Sequence, residues 1–449
     1  MSRARTSILP VLLVNFIGTM GFSIVLPFLV YLVTRVGGNA VIYGLMVATY
    51  PAFQLVGAPL LGRWSDRIGR KKTLLISQAG TLLAWGIFAL ALSLPASPLR
   101  QFDSSWLGAF TVTLPLLLIF TARALDGLTG GNISVANAYL ADITSEEDRS
   151  KNFGRMGMSS SLGFILGPAL ASLLAALGDG EAWSIYAALA ISLLGLLAII
   201  FMLTDSRPER RPGPSRAGLR RSSGHEPIDC TKVSESQRVG LAAVLRQPGV
   251  ARVLCLYFLI FLGFSLFYVS FPVRVSRDLE WSVGKTGLFF TFMSGLMVLV
   301  QGPLLSRLAR RVSETRLIVL GNLLLAVSFL MLMSEDTTLV FAAALFFALG
   351  NGTMWPTIQA VLSKMSHVEL QGATQGFAGA AGSLASIVGL FGGGLIYERI
   401  GDRTFVISCV LFMVVALLAG LWCRGPKDPL LPSVSGAGHR SGKINLSPF

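Results

Sequence analysis

Long apolar stretches without a charged residue dominate this sequence and constrain its fold more than any other feature. A helix that crosses a membrane needs about 20 consecutive residues of this kind. Eleven such stretches lie between charged residues, and a twelfth, 104–141, is interrupted only by Arg123 and Asp126. The eleven are 6–34, 36–62, 73–94, 156–178, 182–204, 253–273, 286–306, 317–334, 337–363, 370–397 and 404–423. Because helices satisfy their own backbone hydrogen bonds in lipid, we expect an all-α membrane protein with twelve transmembrane helices, numbered spans 1 to 12 in chain order.

Charged residues are too few for a soluble protein, and the positions of the basic ones predict an orientation in the membrane. They make up 13% of the chain, about half the roughly 25% of soluble domains, whereas 53% of residues are hydrophobic. With a cytoplasmic N-terminus, 29 of the 37 lysines and arginines lie on the cytoplasmic side, seven lie on the other side and Arg123 lies within a span. Cytoplasmic loops are enriched in such residues, so we expect both termini in the cytoplasm. The net charge of +14 then reflects topology and contact with membrane lipid, and we expect no nucleic-acid partner.

Two short repeats predict that the chain consists of two similar halves. Pro59-Leu-Leu-Gly-Arg at the end of span 2 recurs as Pro303-Leu-Leu-Ser-Arg at the end of span 8, 244 residues later. Gly21-Phe-Ser in span 1 recurs as Gly263-Phe-Ser in span 7, 242 residues later. Internal repeats of this kind are typical of transporters. We therefore expect two pseudo-symmetric six-helix bundles.

The segment between the halves is rich in proline, glycine and arginine, a composition that cannot bury a hydrophobic core. We expect an N-terminal bundle at 1–204, a cytoplasmic linker at 205–247, a C-terminal bundle at 248–424 and a cytoplasmic tail at 425–449.

A loop rich in glycine and arginine follows span 2 and reads Gly62-Arg-Trp-Ser-Asp66-Arg67-Ile-Gly69-Arg70-Lys-Lys. Glycine permits tight turns, and a carboxylate can accept hydrogen bonds from the N-terminus of another helix. The loop resembles the G-x-x-x-D-R-x-G-R-[RK] signature of the major facilitator superfamily at every key position. The resemblance implies a cytoplasmic latch between the halves, in which Asp66 faces the start of span 11 and Arg70 pairs with Asp142. The alternative is a plain cluster of basic cytoplasmic residues.

Span 5 carries a second motif, Gly154-x8-Gly163-x3-Gly167-Pro168-x2-Ala-Ser. It resembles the signature of drug:proton antiporters within this superfamily, G-x8-G-x3-G-P-x2-G-G, with the last two glycines replaced. Small residues on one helix face let another helix approach closely, so generic packing in a membrane bundle is the alternative interpretation.

Span 4 reads Arg123-Ala-Leu-Asp126-Gly-Leu-Thr-Gly-Gly and continues to Ala-Asp142-Ile-Thr. This run resembles the tetracycline-efflux group of antiporters. Members of that group often carry a carboxylate early in span 1, where this chain has Asn15, which cannot carry a proton. The sugar-porter branch shares the loop after span 2 but carries P-E-S and P-E-T motifs after spans 6 and 12, which this chain lacks.

Among the acidic residues, only Asp126 lies deep within a predicted span. Among the basic residues, only Arg123 does. Each intramembrane charge costs roughly 2.5–3.5 kcal/mol on insertion, so a retained pair indicates function. Three residues apart on a helix, the two side chains can touch. We expect them to form the proton-coupling site; the alternative is a static pair that fixes span 4 against span 1.

The superfamily resemblance also implies a central substrate cavity lined by spans 1, 4, 7 and 10. Besides the charged pair, the polar and aromatic candidates on these spans are Asn15, Asn132, Tyr268, Asn351 and Trp355. Amides and aromatic rings suit an amphipathic organic molecule, although each of these residues could instead make a helix–helix contact.

These observations predict a transporter rather than an enzyme. We expect proton-coupled efflux of small amphipathic molecules by a monomer in a bacterial inner membrane, with an organelle membrane as the alternative location. The alternatives are an uncoupled facilitator or sensor, or a proton-coupled symporter of a metabolite or lipid-like solute. The chain lacks the nucleotide-binding loop G-x-x-x-x-G-K-[ST] and any cysteine spacing typical of a metal site, so we expect no cofactor and no metal.

Overall fold

Twelve helical spans are present in the computed structural model, which describes residues 8–130, 132–144, 148–177, 180–204, 244–365 and 371–422. Nine helical segments of these residues are long and apolar enough to cross a membrane, and the last of them contains spans 11 and 12. Spans 1 and 4 complete the set, each divided into two shorter helices. The expectation of an all-α membrane protein with two six-helix bundles is therefore confirmed.

The spans have the following bounds: Leu9–Ser23 and Leu29–Arg35 (span 1), Ala40–Ile68 (span 2), Arg70–Ser93 (span 3), Leu114–Thr129 and Asn132–Ile143 (span 4), Arg149–Ala175 (span 5), Gly180–Met202 (span 6), Val250–Arg277 (span 7), Val283–Leu299, Val300–Leu304 and Leu305–Leu308 (span 8), Glu314–Met331 (span 9), Thr337–Met365 (span 10), Gln371–Ile400 (span 11) and Thr404–Trp422 (span 12).

Irregular turns in spans 1, 4 and 8 coincide with proline or glycine. The helix of span 1 is interrupted around Pro27. Proline has no backbone N–H to donate, and its ring clashes with the preceding turn of a helix. Span 4 is divided next to Gly130, and span 8 contains a π-helical turn at Val300–Leu304 around Pro303. The expected continuous helix of span 1 is thus broken, and all three turns border the cavities described below.

A β-hairpin corrects the expectation for the region before span 4. The apolar stretch 104–141, interrupted only by Arg123 and Asp126, was expected to form span 4. Instead, the strands Pro98–Ser104 (β1) and Gly108–Thr113 (β2) pair antiparallel, and the helix begins at Leu114. The chain leaves the turn at Gly108, whose φ of 70° favours glycine. Hydrophobicity alone cannot distinguish a strand from a helix in so short an apolar segment.

The two halves meet closely at one end of the molecule. We call the end that carries the β-hairpin the hairpin side, and the end where span 6 finishes and span 7 begins the linker side. On the hairpin side, a Cβ on Gly44 of span 2 would lie 3.1 Å from the Cα of Gly394 in span 11. Toward the linker side, a Cβ on Gly154 of span 5 or Gly376 of span 11 would meet no heavy atom within 4 Å outside its own helix turn. The halves are therefore in close contact on the hairpin side, and these two glycines make no close contact toward the linker side.

The described chain resumes at residue 244, so the last four residues of the expected linker are described. Val244 is fully buried, and Gln247 Nε2 donates to Thr374 Oγ1 of span 11 at 3.2 Å. These residues pack against the C-terminal half. The other linker positions, 205–243, and the expected tail, 425–449, lie outside the described residues.

Candidate functional site

A buried ion pair lies in the middle of span 4. Arg123 Nη1 is 3.7 Å from Asp126 Oδ2, and the two residues are 3% and 8% exposed. This separation exceeds the length of a hydrogen bond, so the attraction is electrostatic. Asp126 Oδ1 accepts a hydrogen bond from Thr81 Oγ1 of span 3 at 3.0 Å, and the Arg123 guanidinium lies 4.9 Å from the centre of the Tyr50 ring of span 2. Arg123 Nε is buried and lacks a hydrogen-bond partner among the described residues, so the pair is incompletely satisfied.

Asp126 lies in the wall of a cavity of about 210 Å³ inside the N-terminal half, which we call the N-cavity. All six spans of this half contribute polar side chains to its wall: Asn15, Thr19, Tyr50, Gln54, Gln78, Thr81, Asp126, Ser160 and Ser192. Asn15 Nδ2 donates to Ser160 Oγ at 2.7 Å, and the amide thereby joins span 1 to span 5. A cavity of this size with polar groups in its wall has room for water, which proton exchange at a buried carboxylate requires.

A larger cavity of about 450 Å³ lies between the two halves, and we call it the central cavity. Its wall includes Tyr268, Asn351 and Trp355, three of the residues expected there. Asn15 and Asp126 line the N-cavity instead. Spans 5, 8 and 11 contribute to the central cavity alongside spans 1, 7 and 10, whereas the resemblance had indicated spans 1, 4, 7 and 10.

Aromatic rings and uncharged polar groups form most of the wall of the central cavity. The rings belong to Phe164, Phe261, Phe264, Tyr268, Phe290 and Trp355. Hydroxyl and amide groups come from Ser160, Ser161, Ser265, Ser294, Gln301, Asn351 and Ser386. Among the described residues, no charged side chain lines this cavity. The wall therefore offers stacking and hydrogen bonding rather than a fixed counter-charge.

The glycines of span 5 differ in what they contact. A Cβ on Gly163 would lie 2.9 Å from the backbone of span 1, and one on Gly167 would lie 2.0 Å from Ser23 Oγ. Gly154 has open space around it. Pro168, within the same helix, lines the central cavity. Two of the three glycines therefore allow span 5 to approach span 1 closely.

The motif 62–72, expected to be a loop, instead forms the end of span 2 and the start of span 3, which meet at Gly69, and its contacts are organised around Arg70. Arg70 Nε donates to Asp142 Oδ2 at 2.8 Å, and Nη1 donates to Asp66 Oδ1 at 2.5 Å. Gly69, with φ of 101°, ends span 2 in a conformation that favours glycine, whereas Gly62 has open space. The Asp66 side chain is 66% exposed, and Arg67 is exposed as well. The residues before span 11, which Asp66 was expected to face, lie outside the described residues.

Sequence reasoning missed Thr81 and Tyr50 as neighbours of the charged pair. Tyr50 lies on span 2 and Thr81 on span 3, and the family resemblance places both spans away from the central cavity. A polar or aromatic residue inside an apolar stretch is the signal that could have identified them. Asn132 begins the second helix of span 4, and its side chain lies outside the described residues.

Comparisons with known proteins place this fold in a family. The sequence model of the Major Facilitator Superfamily matches residues 11–252 and 253–447. The chain is 27% identical to the tetracycline resistance protein, class C, of Escherichia coli, over 85% of this chain and 88% of that protein. It is 26% identical to multidrug resistance protein 1 of Bacillus subtilis (strain 168), over 92% of this chain and 96% of that protein.

Solved structures share the fold at lower sequence identity. A D-xylose-proton symporter superposes with a TM-score of 0.70 at 16% identity, covering 92% of this chain and 96% of that chain. The human organic anion transporter TETRAN superposes with a TM-score of 0.62 at 21% identity, covering 93% of this chain and all of that chain. With two six-helix bundles and a family match along nearly its whole length, the chain belongs to the Major Facilitator Superfamily.

Proposed function

We propose that this transporter exports small amphipathic organic molecules in exchange for protons, by alternating access of the central cavity. The observation that carries the proposal is the buried Arg123–Asp126 pair in the wall of the N-cavity. A carboxylate that is deeply buried, incompletely paired and next to a polar cavity can take up and release a proton during a transport cycle.

The lining of the central cavity supports an amphipathic aromatic substrate. Rings such as Trp355 provide flat apolar surfaces, and amides such as Asn351 provide hydrogen bonds at a few positions. The relatives named for tetracycline and multidrug resistance support the same class of substrate.

The proposed cycle couples the ion pair to movement of the halves. Arg123 keeps Asp126 ionised while the two are close. When the movement of the halves is accompanied by a turn of the Arg123 side chain away from Asp126, the isolated carboxylate binds a proton, because its neutral form needs no counter-charge in a low-dielectric environment. One charge that crosses about 100 mV supplies about 2.3 kcal/mol, enough for a roughly 50-fold gradient of a neutral substrate.

We further propose a monomer in a bacterial inner membrane, with the linker side and both termini in the cytoplasm. The excess of lysine and arginine in the loops of that side supports this orientation. The structure then corresponds to a conformation open to the cytoplasm, in which substrate enters from inside the cell.

Reconstituted vesicles with an imposed pH gradient test the proposal, with tetracycline and ethidium as the first two probes. The unmodified protein should accumulate a probe against its gradient. Asp126→Asn should abolish accumulation but retain exchange of probe without a pH gradient, because the amide cannot carry a proton. Asp103→Asn, which replaces an exposed carboxylate of the hairpin, is the matched control and should transport normally.

Two results would contradict this assignment. If Asp126→Asn exports against a gradient with normal pH dependence, the ion pair is structural. If the unmodified protein only equilibrates both probes, it is an uncoupled facilitator.

A further inference from the structure

The two cavities are separate, but they share part of one wall. Phe164 and Ser160 of span 5 line both of them. Asp126 lines only the N-cavity. A substrate in the central cavity therefore does not need to touch the proton-coupling pair, and any coupling between them must pass through the residues in between.

Three aromatic rings connect the shared wall to the ion pair. The Phe164 and Phe22 ring centres are 6.1 Å apart with their planes at 75°, an edge-to-face contact. The Phe22 and Tyr50 ring centres are 5.3 Å apart. Tyr50 in turn lies under the guanidinium of Arg123 at 4.9 Å, a cation–π contact. We call Phe164, Phe22 and Tyr50 the aromatic relay.

The last ring of the relay lies directly against Arg123, which otherwise interacts with Asp126 and, electrostatically, with Tyr43 of span 2. Its guanidinium is 3.7 Å from Asp126, and its Nε has no hydrogen-bond partner among the described residues. The Tyr50 ring therefore contributes to holding the arginine in place. A shift of this ring changes the position of Arg123 relative to the carboxylate.

Tyr50 also contacts the irregular turn of span 4. Gln54 Nε2 donates both to Tyr50 Oη at 3.2 Å and to the Gly130 oxygen at 2.9 Å. A Cβ on Gly130 would lie 2.7 Å from Tyr50 Oη, so this glycine leaves space for the phenol. Tyr50 is therefore in contact with both the ion pair and the break in span 4.

We infer that the aromatic relay links substrate binding to proton binding: substrate in the central cavity displaces Phe164, and Phe22 and Tyr50 transmit the displacement to Arg123 and hence to Asp126. This inference rests on the proposed proton coupling and identifies the positioning residues through which it acts. Packed rings transmit such a displacement because a close-packed interior has little free volume to absorb it. Substrate and proton then influence each other without contact.

Reciprocity provides a test that needs no substrate. If a ligand next to Phe164 alters proton binding at Asp126, proton binding at Asp126 must alter the environment of Phe164. A trifluoromethyl-phenylalanine at position 164, in protein held in lipid nanodiscs, should show a fluorine NMR shift that titrates with pH. Asp126→Asn should remove this titration. The same label at Phe290, a central-cavity ring outside the relay, is the control for general pH effects.

The groups that face Asp126 limit what else could titrate in this experiment. Arg123 on its own span and Tyr50 on span 2 are its ionisable neighbours, and span 3 contributes the hydroxyl of Thr81. Spans 1, 5 and 6 contribute amides and hydroxyls to the same cavity: Asn15, Thr19, Ser160 and Ser192. A titration that Asp126→Asn removes is therefore assigned to this carboxylate.

Variants of Tyr50 separate transmission from mere packing. Tyr50→Leu removes the ring under Arg123, whereas Tyr50→Phe retains the ring and loses only the hydroxyl. We expect Tyr50→Leu to reduce the Asp126-dependent shift at position 164 by about fivefold or more, the lower end of typical coupling factors, and Tyr50→Phe to retain most of it. An unchanged shift in Tyr50→Leu would overturn the relay, as would the absence of an Asp126-dependent shift in the unmodified protein.

Substrate-induced proton release distinguishes a failure of the relay from a failure of the proposed function. In weakly buffered detergent solution, tetracycline or ethidium should release protons from the unmodified protein and none from Asp126→Asn. Phe22→Leu should still bind the probe, measured by quenching of tryptophan fluorescence, but release fewer protons for each probe bound. Release equal to that of the unmodified protein would overturn the relay and leave proton coupling intact. Absence of release with both probes in the unmodified protein would overturn both.

Discussion

At the scale of single residues, the glycines of span 5 show which positions of a motif depend on close packing. A Cβ on Gly163 would lie 2.9 Å from the Met20 nitrogen and from the Phe16 oxygen, and backbone atoms cannot easily move aside. Gly163→Ala should therefore destabilise the contact between spans 1 and 5 by about 1–3 kcal/mol, as overpacking typically does. Thermal unfolding of the purified protein in detergent measures this effect.

Gly154→Ala is the matched control, because it makes the same change on the same helix where a Cβ would meet no heavy atom within 4 Å. It should unfold at the same temperature as the unmodified protein or slightly above, since alanine favours a helix more than glycine. If both variants lose stability equally, close packing does not explain the requirement for glycine at position 163.

The sequence identified candidate residues more successfully than it predicted which cavity and which neighbours surround them. Arg70 and Asp142 were expected to pair, and their side chains lie 2.8 Å apart. Asn15 was expected in the substrate cavity but lines the N-cavity, where its amide bonds to Ser160. Which cavity a side chain enters depends on helix rotation and on the neighbouring span, and a hydrophobicity pattern does not contain either.

At the scale of helices, the hairpin side is closed by contacts between elements of different halves. Glu398 near the end of span 11 accepts a hydrogen bond from the backbone N–H of Ala40, the first residue of span 2, at 3.3 Å. The same carboxylate lies 3.4 Å from Arg277 at the end of span 7. Tyr31 Oη donates to the Trp281 oxygen at 2.6 Å, which adds a further contact between the halves. A carboxylate at a helix N-terminus is stabilised by the helix dipole.

Glu398→Gln should therefore favour opening of the hairpin side. The amide loses the charge that interacts with the N-terminus of span 2, a change of about 0.3–1 kcal/mol and up to about 2 where the site is partly buried. The pair with Arg277 lies within the C-terminal half, so its loss does not bias the opening. Such a change shifts a near-balanced equilibrium several-fold. Distances between spin labels on the hairpin-side ends of spans 2 and 11 should lengthen. Glu335→Gln, an exposed position after span 9, is the control and should leave them unchanged.

The limits of sequence reasoning at this scale have a physical cause. Transfer from water to lipid depends on hydrophobicity summed over about 20 residues, so charge-free stretches predicted eleven of the twelve spans, and the twelfth was predicted despite its two charges. The β-hairpin and the broken helices depend on backbone geometry at single positions such as Pro27 and Gly108, which a sum over many residues conceals.

At the scale of the whole molecule, we propose that the two bundles move as units and that residues 207–238 of the linker only connect them. Proline, glycine and arginine dominate this segment, so it cannot form a core of its own. Replacing it with a flexible polar linker of equal length should retain transport in vesicles, because such a chain spans the same gap. Loss of transport in a normally inserted protein would show that the segment has a role in the transport cycle.

The linker-side latch should act in the opposite direction to the contacts of the hairpin side. In the conformation seen here, Asp66 is largely exposed and bonded to Arg70, and an exposed ion pair of this kind contributes only about 0–1 kcal/mol. Closure of the linker side would bring the carboxylate to the N-terminus of span 11, as the superfamily resemblance implies, where the helix dipole adds about 0.3–1 kcal/mol and up to about 2. Asp66→Asn therefore weakens the closed state more than the open one.

Spin-label distances across the linker-side ends of spans 2 and 11 provide the measurement. In Asp66→Asn, the population of molecules with long linker-side distances, which represents the open state, should increase several-fold. Asp103→Asn on the hairpin should leave this population unchanged. Because Glu398→Gln favours opening at the other end, the double variant should return toward the distribution of the unmodified protein. Two distant sites that bias one equilibrium add in free energy, so their opposing effects cancel. Unchanged linker-side distances in Asp66→Asn would show that this carboxylate is not part of the latch. If the double variant does not return toward the unmodified distribution, the two ends do not belong to a single open–closed equilibrium.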